Sequence, residues 1–510
     1  MSLDAFVQQY LESLSKGYFI KQVLVILCIF VFGAIICDAF EGESTSRIRR
    51  VVLAFPAGLC TFSVSAYAML VIGIPYNSMT VIAIILAELI VIIALRRKSF
   101  ASHLNKTEMI RMIIALLIVA VAAALATSGL APVSISNDSM YFFRRYPEFI
   151  VYYGKLRDQF DFWLTDTGLG SVVIDTLPPL FGFGESFGIR EFFHLDFIVF
   201  FAVCVYDRAK LYFSGRGAYA SSVIVTLVLA ASTPFVILGH WALANMYFME
   251  LFFIAAYTAA GRKNRDIGVL PILLVALSLL RIEGTIFAVW LVLCISLYTD
   301  LSKKLVMYVL IPTAILFTGY CLKIFVGFYV FDNIYLFLTP QKAVILIGAM
   351  IMSGVYILFV QDRLKMRAQK ILPYIYIAFA VIGNILLFVM NSELYIGNLK
   401  AFSANLFRQS GWGMFAHFAL FVIVSVIAEY LIRAIKKHGT KQPDSILSFS
   451  TMLTVGFILI VLIASYGRGD VLAENVGDSG NRVLLQIVPL AVMTLAEHLF
   501  FLFNDRDHVF

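Results

Sequence analysis

IGVLPILLVALSLLRIEGTIFAVWLVLCISLY, residues 267–298, holds two apolar runs, Ile267–Leu280 and Thr285–Leu297, around Arg281-Ile282-Glu283-Gly284. Each run is short for a membrane span of about 20 residues. Read as one helix, the stretch is about 46 Å long at 1.5 Å per residue, too long for the hydrocarbon core without strong tilt. A single crossing also inverts every later loop, so that the basic residues of 299–304, 361–370 and 433–441 face outward. Cytoplasmic loops carry the excess of Lys and Arg, which argues against that arrangement. The stretch is therefore predicted to be two short helices meeting at a turn over 281–284, on the outer side at modest depth.

The rest of the chain fits a membrane setting. Of its 510 residues 61% are hydrophobic and 14% charged, with a mean hydropathy of +0.91. Repeated apolar runs of helix-spanning length then give an all-α polytopic membrane protein. The first run, Val23–Ile36, is read as a retained helix, since no small-residue cleavage site follows it. Spans are predicted near 20–39, 51–74, 78–95, 111–128, 194–207, 219–239, 242–260, 267–281, 284–298, 305–327, 342–360, 371–390, 413–433, 446–466 and 483–503. These correspond to about 13–15 transmembrane helices. Alternate short connections, with the tail, hold 25 of the 39 Lys and Arg residues, among them Arg47, Arg49, Arg50, Arg262, Lys263 and Arg265. This pattern puts the N-terminus and the long loop 129–193 outside and the C-terminus inside. The net charge of +7 sits in these loops and implies the bilayer rather than nucleic acid. All six cysteines fall in apolar runs, so neither a disulfide framework nor a cysteine metal site is expected.

The outer loop opens with Ser134-Ile135-Ser136-Asn137-Asp138-Ser139-Met140-Tyr141-Phe142-Phe143-Arg144-Arg145. An acid placed where a span leaves the lipid reaches water on one side and acyl chains on the other. The same Asn137-Asp138-Ser139 also suits a helix N-cap. Beyond Pro147, residues 148–164 are amphipathic and rich in Tyr, Phe and Trp, which predicts a helix in the interface plane. A turn follows at Asp166-Thr167-Gly168. Glu191, His194 and Asp196 close the loop, with His194 and Asp196 read as an ordinary helix-start hydrogen bond rather than a metal site. Lys400 and Arg408 are placed in an outer loop 391–412, and Arg482 enters the last span. Charges at membrane depth are functional candidates, although Arg281 and Glu283 also suit a structural ion pair.

A lone carboxylate near several arginines at a lipid boundary suits transfer of a sugar from a polyprenyl phosphate carrier. The phosphate leaves readily, a bidentate arginine stabilises its developing charge, and one base takes the proton of the acceptor hydroxyl. In Asp138 at the head of the outer loop, the run Leu277–Gly284, and Gly480-Asn481-Arg482-Val483-Leu484-Leu485-Gln486-Ile487-Val488-Pro489-Leu490, the chain resembles the GT-C superfamily. These are integral-membrane glycosyltransferases that include protein O-mannosyltransferases and aminoarabinose transferases. The likeness extends over residues 111–503. It implies a GT-C-like core after N-terminal helices 1–110, with a cytoplasmic tail 504–510 and an outward active site in a bacterial plasma membrane. It also implies Asp138 as base, donor-phosphate binding by Arg281, Arg482, Arg144 and Arg145, and support from Glu283 and Asn137. No cofactor or metal is implied. The partners would be a polyprenyl-phosphate-linked sugar and an acceptor hydroxyl on lipid, glycan or protein. The chain departs from the family in its single acid, its three preceding spans and Ile282 in place of a common proline. Alternatives are a ligase or polymerase of lipid-linked glycans, or a flippase or transporter for them.

Overall fold

The computed structural model describes residues 17–42, 45–96, 106–126, 145–156, 168–183, 188–239, 244–260, 262, 266–282, 284–299, 301–331, 338–408, 412–435, 445–466 and 479–506. They form helices and connections, with no strand among the described residues. Among the described residues six helices are long and apolar enough to cross a membrane, and seven shorter apolar helices accompany them. The chain is an all-α integral membrane protein.

Two compact units divide it. The first takes residues 1–200, 240–293 and 300–359; the second takes 201–239, 294–299 and 360–510. The first unit begins with α1 (Tyr18–Phe40), α2 (Arg47–Ile72), α3 (Ser78–Leu95) and α4 (Lys106–Ala126). The loop helices α5 (Tyr146–Tyr153), α6 (Leu169–Ile174) and α7 (Leu177–Phe181) come next, followed by α8 (Gly188–Ala209), which runs on into the second unit. In that unit lie α9 (Gly215–Ala230) and α10 (Thr233–Gly239). The chain then returns through α11 (Ala244–Ala260), α12 (Leu270–Leu280) and α13 (Gly284–Tyr298).

Helix α14 comprises Ser302–Leu305, a π-helical turn Val306–Leu310 and Ile311–Phe331. Helix α15 comprises Pro340–Val355, a π-helical turn Tyr356–Val360 and Gln361–Met390. The second unit closes with α16 (Ser392–Phe407), α17 (Met414–Ile435), α18 (Ser445–Tyr466), α19 (Ser479–Leu485) and α20 (Val488–Arg506).

Lipid tails are as apolar as leucine, so close backbone approach rather than hydrophobicity brings such helices together. Gly33 of α1 and Gly58 of α2 supply that approach. A Cβ on Gly33 would stand 1.7 Å from the Ala54 carbonyl oxygen, and one on Gly58 2.2 Å from that of Ile29. Helix α11 is buried on every side from Ala244 to Ala259; most of it is apolar, and its polar Asn245, Tyr247 and Glu250 are hydrogen-bonded. Helix α3 is the opposite case: Val81 is its one buried residue, and its leucines and isoleucines are left to lipid.

Within the first unit, connections assigned to the same side of the membrane touch one another. At one end Glu41 accepts hydrogen bonds from Arg262 and from the Val269 N–H (2.9 Å), and Asp266 accepts from the Gly42 N–H (3.0 Å). Both connections involved were read as cytoplasmic. At the other end Lys21 donates to the Gly182 carbonyl (2.9 Å), and the Tyr76 N–H donates to that of Gly154 (2.7 Å). All of these were read as outer.

Several expectations need correction. The spans at 342–360 and 371–390 are one continuous helix, Pro340–Met390, and the basic run 361–370 is helical rather than a loop. Gln, Leu, Lys, Met, Arg and Ala are strong helix formers, so charge there does not end the helix. The segment 391–412, expected to be an outer loop, contains the sixteen-residue α16, capped by the Asn391 side chain. The amphipathic helix expected over 148–164 stops at Tyr153, where Gly154 adopts a left-handed conformation (φ +65°) and ends it. The last span breaks at Gln486-Ile487, and its helix runs on through Asp505 and Arg506, residues assigned to the tail.

Candidate functional site

The 267–298 stretch folds as two short helices. Helix α12 ends at Leu280, Arg281 is extended (φ −138°, ψ 158°), and α13 starts at Gly284. The Thr285 hydroxyl donates to the Ser278 carbonyl at 3.1 Å. In a straight helix these positions stand about 10 Å apart along the axis, so the chain turns sharply here. The bond also satisfies a carbonyl left without an intrahelical partner at the end of α12. Gly284 is small for a reason: a Cβ there would press within 3.0 Å of the Phe248 ring.

Arg281 reaches α11, donating from Nη1 to Oδ1 of the buried Asn245 at 2.7 Å. The segment Gly168–Gly170 also lies on the turn, backbone to backbone. A Cβ on Gly168 would fall 2.8 Å from the Arg281 Cα, and one on Gly170 2.5 Å from the Leu279 carbonyl oxygen. Gly168 also has φ +85°, a region that favours glycine. The Ser63 hydroxyl of α2 holds the Gly170 carbonyl at 3.3 Å. Gly168→Ala is therefore expected to lift the loop off the Arg281 turn, at a cost of about 1–3 kcal/mol. Thermal unfolding of the purified chain would register it.

Next to this turn, α8 and α11 share a polar seam. Arg190 donates to both carboxylate oxygens of Asp175, through Nε at 2.9 Å and through Nη2. The Tyr247 hydroxyl donates to the same carboxylate at 3.3 Å, and the Arg190 guanidinium stands 4.5 Å from the Tyr247 ring centroid. Burial, the largest influence, lifts the Asp175 carboxyl above the ordinary carboxylate range, against the pull of Arg190 and the Arg190 and Tyr247 bonds. One turn deeper, His194 of α8 hydrogen-bonds Glu250 of α11, both buried. This corrects the His194–Asp196 reading: positions two apart on a helix do not face each other. Below Glu250 the rings of Phe197, Phe200, Phe253 and Tyr257 pack with centroids 4.6–6.3 Å apart and close the seam.

Of the sequence candidates, Arg281 is thus brought together with Asn245 and the 168–170 segment. Arg145 is exposed at the start of α5. Arg482 lies half-buried on α19 in the second unit, whereas Arg281 belongs to the first. Asp138, Asn137, Arg144 and Glu283 lie outside the described residues. Among the described residues no group of three His, Cys, Asp or Glu side chains could hold a metal ion.

Asn245, Tyr247, Glu250, Asp175 and Arg190 were not singled out from sequence. Glu250 carried a usable signal, as the single ionisable acid in the apolar run 244–260.

No protein-family model matches the chain, and no curated protein or solved structure matches it.

Proposed function

We propose that this chain is a membrane glycosyltransferase of the GT-C kind. It would move a sugar from a polyprenyl-phosphate donor to an acceptor hydroxyl at the outer face of a bacterial plasma membrane. In the reaction the acceptor oxygen bonds to the anomeric carbon as the carbon–oxygen bond to phosphate breaks. The hydroxyl proton passes to the Asp138 carboxylate, and the leaving polyprenyl phosphate takes the bonding electron pair and a second negative charge. Arg281 meets that charge, with Arg144 and Arg145 in reserve and Glu283 and Asn137 in support; the resemblance names Arg482 as the alternative phosphate ligand.

The observation that carries the reading is the Arg281 turn. A guanidinium stands at a break between two apolar helices and donates at 2.7 Å to a buried amide, while Gly168 and Gly170 lie against the backbone of the turn that carries it. Extended backbone at membrane depth is tolerated where protein buries it or where it lines a cavity, and a charge kept there calls for a task. The grouping of Lys21, Tyr76, Gly154 and Gly182 at the end away from Glu41 and Arg262 supports an outward site.

The test is binding of a radiolabelled polyprenyl-phosphate hexose to the purified full chain in detergent. Loss of one charge-assisted hydrogen-bonding group costs about 1.5–3 kcal/mol, so Arg281→Ala should weaken binding about 10- to 100-fold. Arg281→Lys should recover part of it, and Arg482→Ala should act in the same direction. Unchanged affinity in both alanine variants would move the phosphate site elsewhere.

A further inference from the structure

Helix α16 carries a feature that the Arg281 site does not use. Over its second half, described residues lining a pocket of about 540 Å³ are Leu399, Lys400, Ser403, Ala404, Phe407 and Arg408. That volume lies within the range of small-ligand sites, about 300–1,000 Å³. The opposite face of the helix is fixed: Ala401 and Phe402 are buried, with Leu484 of α19 packed against them. The cationic side chains are therefore presented by an anchored helix.

Position along the chain sets the depth of the pocket. Helix α17 begins six residues after Arg408, and its Met414–Arg433 segment is a candidate span of 20 residues. That length crosses about 30 Å, the thickness of the hydrocarbon layer, so the chain just before Met414 stands at a membrane surface. Trp412 there packs near Phe415, an aromatic pair suited to that depth.

A plainer role for the basic residues is compensation of the helix C-terminus, where Lys and Arg are favoured. It accounts for Arg408, which is the C-cap residue. It does not account for Lys400, because the dipole effect fades within the last turn and Lys400 lies two turns earlier.

We propose that this pocket docks an anionic phospholipid, its phosphate between Lys400, Ser403 and Arg408 and an acyl chain along Leu399 and Phe407. Two cations at a membrane surface favour anionic headgroups, each by about fivefold. The exposed leucine beside them, 58% accessible, suits an amphiphile better than a free anion.

Native mass spectrometry of the full chain, with phosphatidylglycerol or phosphatidylcholine of matched acyl chains, tests the proposal. The expected result is retention of phosphatidylglycerol about 30-fold over phosphatidylcholine, abolished in Lys400→Gln/Arg408→Gln. Both side chains are exposed, so this variant should fold as the native chain does. Equal retention of the two lipids, or an undiminished preference in the variant, overturns the proposal. Displacement of the lipid by millimolar inorganic phosphate overturns it in favour of a soluble anion. None of these outcomes bears on donor binding at Arg281.

Discussion

Gly33→Leu should leave the first unit unable to assemble, with loss of monodisperse protein in detergent. The Cβ alone would overlap the Ala54 carbonyl oxygen at 1.7 Å, and the Gly58 nitrogen lies at 2.6 Å. Both obstacles are backbone, so no rotamer change relieves them, and α1 must separate from α2. Overpacking a tight core costs about 1–3 kcal/mol even where side chains yield, so more than about 3 kcal/mol is expected here. Gly348 of α15 is the control, since a Cβ there meets nothing within 4 Å. Gly348→Ala should express and unfold like the native chain. If Gly33→Leu behaves the same way, the α1–α2 contact is not what holds these helices.

Asp138→Asn separates the two readings of that residue. Asparagine caps a helix as well as aspartate does, so a purely structural role predicts native behaviour. It accepts no proton at neutral pH, so a base role predicts turnover reduced about 10²–10⁴-fold. Donor affinity should stay within a few-fold of native, because the proposed reaction assigns the donor phosphate to arginines and not to Asp138. The measurement is sugar transfer in membranes that contain the native acceptor, paired with the donor-binding assay. Native turnover would remove Asp138 from the mechanism.

The break at Arg281 was legible because two apolar runs, jointly too long for one crossing, flank a charged pair. The class was legible for the same kind of reason: apolar length is a direct physical requirement of the bilayer. Gly154 shows where periodicity misleads. Aromatic residues recur at helical spacing on both sides of it, and the glycine still ends the helix through a left-handed backbone. Residues 361–370 show the converse, where a basic run counted as a loop is good helical sequence within Pro340–Met390.

The seam is not legible in the sequence, for a different reason. His194 and Glu250 are 56 residues apart, and Arg190 and Tyr247 meet only because α8 and α11 pack together. Nothing in the spacing of either helix names the other. The glycines at 168 and 170 likewise read as turn or loop residues until the backbone of Leu279–Arg281 is found against them.

The Glu41–Arg262 pair bears on how the chain is born. Its partners are 221 positions apart, and a ribosome adding about 5–20 residues per second needs roughly 10–45 s to pass from one to the other. Throughout that interval the carboxylate at the end of the first helix has neither the Arg262 guanidinium nor the Val269 amide. Until translation delivers the clasp, α1 and α2 must stand in the membrane on their own contacts, the Gly33–Gly58 approach and the Arg50 bond to the Gly42 carbonyl among them.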